Sequence, residues 1–276
     1  MSFIKKVFMR HKLLTAFVAV GVAILAIYGL NSRDEDDLAG ESPAGPETAS
    51  SNAHVERSEP ERRVERIISG RESIMRTRAA LVGEARSGNA FASYQIYQDL
   101  SRCRSLATKR DVLEEYASRN ADSAAVEAIV GQIAEDERLC KGIGSESIGE
   151  RKDWIIRAAR QGNVEAQLLF FGVVTEEFDT PEKIVANVDE ISRYKTEALR
   201  HLRSAARSGS ETALFNLAMA YHDGTLAEKD LSLAYGYMLV VEKKGRVKSA
   251  SHYLELWGRE LGPEDLARAR SISLQY

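Results

Sequence analysis

Three regimes of apolar patterning follow one another along the chain. From Leu13 to Leu30, eighteen consecutive residues carry neither a charge nor a proline. As an α-helix that run rises about 27 Å, close to the hydrocarbon thickness of a bilayer. From Asn31 to Glu61 large apolar residues almost vanish and three of the five prolines gather. Such a stretch cannot repay its ordering entropy and reads as a flexible tether. From Arg62 onward apolar residues return at three- and four-residue spacing, the period of helices that bury one face. The spacing predicts a first amphipathic helix over Pro60–Val82, with pairs at Ile67/Ile68, Ile74/Met75 and Leu81/Val82. It predicts another from Asp230 to Lys244, with Leu231, Ala234, Tyr235, Met238 and Val241 inward. A last helix starts at Gly262-Pro263, proline being suited to a first helical turn.

Within the third regime one string recurs. Ala85-Arg86-Ser87-Gly88-Asn89-Ala90-Phe91-Ala92 is followed by Ala159-Arg160-Gln161-Gly162-Asn163-Val164-Glu165-Ala166. The third copy is Ala206-Arg207-Ser208-Gly209-Ser210-Glu211-Thr212-Ala213. Arginine in a last turn complements the helix dipole, and glycine takes the left-handed conformation that ends the helix. Asn or Ser then caps the next helix, and the small alanine lets two helices approach closely. Each copy therefore marks a helix–turn–helix junction: Gly88 with Ala92, Gly162 with Ala166, Gly209 with Ala213. Gly245 reads as a degenerate fourth.

The segment that continues through Leu217, Ala218, Tyr221, Gly224, Asp230 and Ala234 to Gly245 resembles the Sel-one-like repeat family, relatives of the tetratricopeptide repeats. The likeness spans roughly residues 80–260 and is strong over 200–245. Val174 stands where the second copy should have tyrosine, and Ser147 and Tyr194 fall where aspartate is expected. The resemblance implies an all-α, right-handed superhelix of antiparallel helix pairs that binds other proteins and does not catalyse.

Junction glycines at 88, 162, 209 and 245 are 74, 47 and 36 residues apart. With 36 as the ordinary unit, the first unit carries thirty-eight extra residues, near 101–146, and the second eleven, near 175–193. The first excess contains helical patterns over about 108–118 and 121–139, with an apolar stripe at Val126, Ile129, Val130 and Ile133. It is either a helical insertion or a decayed repeat. Cys103 and Cys140 stand just inside its two ends and are expected to form a disulfide. The second excess contains Thr180-Pro181-Glu182, a cap followed by a proline-started turn.

Charge orients the chain. Lys5, Lys6, Arg10 and Lys12 precede the apolar run, which places the amino terminus in the cytoplasm and the remainder across the membrane. The sequence thus divides into a basic stub (1–12), a transmembrane signal anchor (13–30), a linker (31–61) and a repeat domain (62–276). The expected location is a bacterial inner membrane, single-pass, with the repeat domain periplasmic. A cleaved signal peptide is the competing reading, but a cut after Gly21-Val22-Ala23 would halve the apolar run. Taking the four positive charges of residues 1–12 from the net −3 leaves −7 for the rest. That balance disfavours docking onto anionic lipid, and the near-neutral total gives no argument for nucleic acid as a ligand.

Enzyme motifs are largely missing: there is no Walker loop, G-x-S-x-G, C-x-x-C or H-E-x-x-H. His201, His222 and His252 fall on separate helices, so no metal, cofactor or small-molecule substrate is expected. The expected partner is an unidentified envelope protein, received by the first helix of each unit, with Gln95, Gln167, Asn216 and His222 as candidate contacts. Arg193, Arg200, Arg203 and Arg207 form a stripe that reads as a solvated helix face or as a site for an acidic peptide or cell-wall polymer. Two other functions stay open: a cell-wall-modifying enzyme with its site in the 101–146 insert, and an architectural subunit of a membrane complex.

Overall fold

In the computed structural model, which describes residues 57–118 and 123–276, the three recurring strings fold into one and the same turn. Gly88, Gly162 and Gly209 have φ of 97°, 96° and 91°. Each glycine N–H donates three residues back, to Ala85, Ala159 and Ala206, at 3.0–3.2 Å. The following Asn89, Asn163 or Ser210 N–H donates five residues back, to Glu84, Ala158 or Ala205, at 3.0 Å. This pair of bonds satisfies the last carbonyls of the outgoing helix. The same Asn or Ser then caps the incoming helix, its side-chain oxygen accepting from Ala92, Ala166 or Ala213 N–H at 3.3, 2.8 and 3.2 Å. Gly245, with φ 78°, closes by a single bond to Val241 O instead, so the fourth junction is a simpler turn.

Fourteen helices follow among the described residues, and none of the elements there is a strand. They are α1 Glu59–Ile68, α2 Ile74–Arg86, α3 Ala90–Arg104, α4 Leu106–Ser118, α5 Ser123–Cys140, α6 Ser145–Gly149 and α7 Arg151–Arg160. Then come α8 Val164–Val174, α9 Pro181–Ala186, α10 Val188–Arg207, α11 Glu211–Asp223, α12 Leu231–Lys244, α13 Ala250–Gly258 and α14 Pro263–Ser273. Packing runs as a zigzag: α2 on α3, α3 on α7, α7 on α8, α8 on α10, α10 on α11, α11 on α12, and α12 on both α13 and α14. Alternate helices therefore fall on alternate sides of a stacked array. Because α3 meets α7 directly, α4 and α5 pair with each other as a hairpin beside the stack. No helix among the described residues is long and apolar enough to cross a membrane. The apolar run 13–30 and most of the tether lie outside the described residues.

The junction alanines Ala92, Ala166 and Ala213 are fully buried, as small side chains between closely packed helices are. Around them lie a C-terminal core of Leu214, Leu217, Tyr237, Met238 and Val241, and a middle one of Ile155, Phe170 and Val174. A third core is built on Leu81, Ile96 and Leu100. The last helix sits especially close: a Cβ on Gly236 of α12 would come within 2.8 Å of Ala269 O and 2.9 Å of Ile272 Cβ on α14. Only glycine admits that approach.

Three expectations from patterning are corrected. The helix expected over Pro60–Val82 is two helices, and α1 begins at Glu59, inside the stretch read as tether. The chain breaks at Gly70, whose φ is 63°, and this turns Arg71 inward to Asp99. Val130 of the expected hairpin stripe is 47% exposed, while Ile133, Leu139 and Cys140 are buried. Finally, the arginine stripe on α10 is partly occupied: Arg203 donates to the Tyr221 hydroxyl and Arg200 to Glu197.

Candidate interaction surface

The helices that begin at a junction, α3, α8, α11 and α13, form one side of the array. Aromatic rings link two of them. Phe215 of α11 meets Tyr253 of α13 at 5.9 Å, Tyr253 meets Trp257 at 5.3 Å, and His222 stacks on Trp257 at 4.4 Å. Trp257 is buried beneath this strip, whereas Leu256 is 42% exposed. Thr212, His252 and Glu255 are exposed along the same helices.

The four candidate contact residues separate. Gln167 is a correction: it is 5% exposed, and its amide nitrogen donates to Ala159 O at 3.1 Å and to Ser204 Oγ at 3.5 Å. It closes its own junction and offers nothing to a partner. Gln95 is half-buried and donates to Asp99 Oδ1 at 2.9 Å, so it too serves the fold. Asn216 is half-buried on α11, and His222, half-buried on the same helix, holds Asp223 Oδ1 at 2.7 Å. Replacing Gln167 by alanine should lower stability by about 1–2 kcal/mol, since the buried bonds of its amide to Ala159 O and Ser204 Oγ are lost. Asn216→Arg should stay within about 0.5 kcal/mol. Urea denaturation of both variants checks this; equal losses would refute the division.

Several functional-looking groups escaped the sequence reading because their partners are distant. Asp99 is 2% exposed and Asp136 fully buried. Asp99 receives Arg71 in two bonds of 2.7 and 2.5 Å. Asp136 receives Arg102 at 3.0 Å, Gln132 at 3.0 Å and Lys109. One signal was available: each aspartate lies in phase with an apolar stripe, Asp99 between Ile96 and Leu100, Asp136 between Ile133 and Leu139. An acid there must bring its own cation. Cys103 and Cys140 are joined by a disulfide with Cα atoms 5.5 Å apart, at the base of the α4–α5 hairpin. Among the described residues no cluster of His, Cys, Asp and Glu could hold a metal ion.

The charged groups set a pH dependence. Burial raises the Asp136 carboxyl, but Lys109, Gln132 and Arg102 outweigh it and hold it below the usual range. Burial likewise raises Glu176, and Arg104 and Arg151 bring it down. The Arg160 hydrogen bond, at 2.7 Å, holds Glu197 low. Burial pushes His201 down from 6.5, with Glu197 opposing. Its Nε2 is 3.4 Å from Glu197 Oε1 without hydrogen-bond geometry, and its ring packs on Phe170 at 4.8 Å.

All four groups release their protons more readily folded than unfolded. Each stabilises above its unfolded pKa and loses that contribution as pH falls through the folded one. The urea midpoint should therefore drop as pH falls below about 6.5 through His201, and again below about pH 4 through the carboxylates. In His201→Leu the first drop should disappear and the second remain. A first drop unchanged in that variant would assign it elsewhere.

Neither a protein-family model nor a curated protein matches the chain. A solved structure is similar: c5321, a protective antigen present in uropathogenic Escherichia coli strains and displaying an SLR fold. Identity is 16% and the TM-score 0.39, over 78% of this chain and 44% of that one, so this chain spans less than half of that protein. The repeat reading rests on the molecule's own geometry: three identical junction turns, each capped by the next helix's first side chain, join antiparallel helices stacked in chain order.

Proposed function

We propose that this protein is a non-catalytic Sel-one-like repeat scaffold that binds another polypeptide along the side built by α3, α8, α11 and α13. In this reading residues 13–30 anchor it in the inner membrane and the repeat domain works in the periplasm. The observation that carries the proposal is a division of labour. Junction residues are buried and bonded, while Thr212, Asn216, His252 and Leu256 on the opposite helix faces leave the cores intact and surround the Phe215–Tyr253–His222 strip. A stacked array offers such a surface as one long groove. Aromatic rings are the side chains that most often anchor a polypeptide partner.

The test is a photo-cross-linking amino acid at Asn216 of the full chain, in the cells that produce it. A discrete adduct with one polypeptide is expected there and none with the probe at Arg207, on the other set of helices. Equal labelling at both positions, or none at Asn216, would overturn the groove.

A further inference from the structure

Where α3 passes the α4–α5 hairpin, the two enclose an open cleft of 370 Å³. Its floor is Tyr97, and Gln98, Ser101 and Arg102 of α3 face Lys109 of α4 and Gln132 of α5 across it. Among the described residues no acidic side chain lines this cleft. A second cleft, between α7 and the segment after α8, is lined by Arg104, Arg151 and Lys152, but there Glu176 and Glu177 pair with all three. Of these two, only the first leaves an excess of positive charge among the described residues.

The source of that excess is a two-to-one arrangement. Arg102 and Lys109 both turn to the single carboxylate of Asp136, which lies fully buried behind them. Their side chains remain 39% and 37% exposed, so each cation keeps donors free towards the cleft. Beside them the Ser101 hydroxyl is buried and finds no hydrogen-bond partner among the described residues. A buried hydroxyl without a partner is costly, and Ser101, turned about its χ1 towards the cleft, would donate to a carboxylate held by Arg102. The disulfide follows Arg102 directly in sequence and ties the hairpin to α3, which fixes the spacing of the two cations.

We propose that this cleft is a subsite that seats an acidic side chain of the polypeptide bound along the groove. It rests on the groove reading and adds a partner chemistry: Asp or Glu at the hairpin end, apolar residues towards the Phe215–Tyr253 strip. The hairpin is then the wall that makes this end of the groove selective. A polypeptide carboxylate fits better than a small free anion because the cleft is open and lies on α3, one of the groove helices.

The experiment uses the full chain and a fluorescein-labelled hexaglutamate peptide, read by fluorescence polarisation, with hexaglutamine and an oligothymidylate as comparison probes. Hexaglutamate should bind, hexaglutamine should not, and affinity should fall as salt rises above physiological strength. Gln98→Glu, which places a carboxylate one turn before Arg102 while leaving Asp136 and its partners untouched, should weaken hexaglutamate at least about tenfold. Ser101→Ala should weaken it about tenfold with no loss in the unfolding midpoint, because that hydroxyl has no partner to lose. Affinity unchanged in both variants, no binding at millimolar peptide, or tighter binding of the oligothymidylate through the same residues would each overturn the subsite. The groove itself stands or falls separately on the Asn216 cross-link.

Discussion

Asp99→Ala should lower the unfolding free energy by about 3–5 kcal/mol, the cost of leaving a charge buried without its partner. The Arg71 and Asp99 side chains are only 9% and 2% exposed. The guanidinium meets the carboxylate in a two-bond fork, and Gln95 supplies a third donor. Without the carboxylate, Arg71 can reach water only by undoing the turn at Gly70, which separates α1 from α2. The pair itself is worth much less than its rupture, since both ions gave up their hydration to form it. Arg71→Met combined with Asp99→Leu should therefore recover most of the loss. Urea denaturation of the single and double variants measures both. A single-variant loss below about 1 kcal/mol would mean that water reaches Arg71 without rearrangement.

The second large effect concerns the disulfide. Replacing Cys103 and Cys140 together by alanine should cost about 3–4 kcal/mol in the chain-entropy picture for a loop of this size. The closed loop separates the cysteines by 37 residues and contains the whole α4–α5 hairpin. Both sulfurs also pack with Ile74 and Leu139 in a small core of their own. Since α3 packs on α7 directly, the stack does not run through the hairpin, and the loss should appear there first. Hydrogen exchange in the double variant should rise across α4 and α5 while α10–α12 keep their protection. Uniform acceleration along the chain would refute that order. Thiol titration of the denatured, unreduced wild-type protein should find no free cysteine.

What was legible in the amino-acid sequence is what short-range physics decides. Each junction is specified within about eight residues: a glycine at positive φ, two backbone bonds reaching three and five residues back, and a cap reaching three residues forward. The Cys103–Cys140 pairing was legible because an excess of residues over the repeat unit begins and ends beside those two side chains. The proline-started turn α9 was legible for the same local reason: Thr180 Oγ1 accepts from Lys183 N–H at 3.3 Å.

Tertiary structure decided everything that depends on a partner far along the chain. Arg71 and Arg78 lie within the stretch expected to be one amphipathic helix, yet they reach Asp99 and Glu150, 28 and 72 residues away. Gly70 lies in the same stretch, and its positive φ turns the chain where Arg71 meets Asp99. Gln167 sits at the expected place on a first helix, but Ser204, 37 residues on, completes the enclosure that buries it. Likewise the cleft at Arg102 and Lys109 exists only because α5 returns to place Asp136 behind both cations, 34 and 27 residues later. Helix ends are set by bonds that close within one turn, whereas the burial of a polar side chain is set by whichever helix packs over it, and that helix is chosen by the whole array.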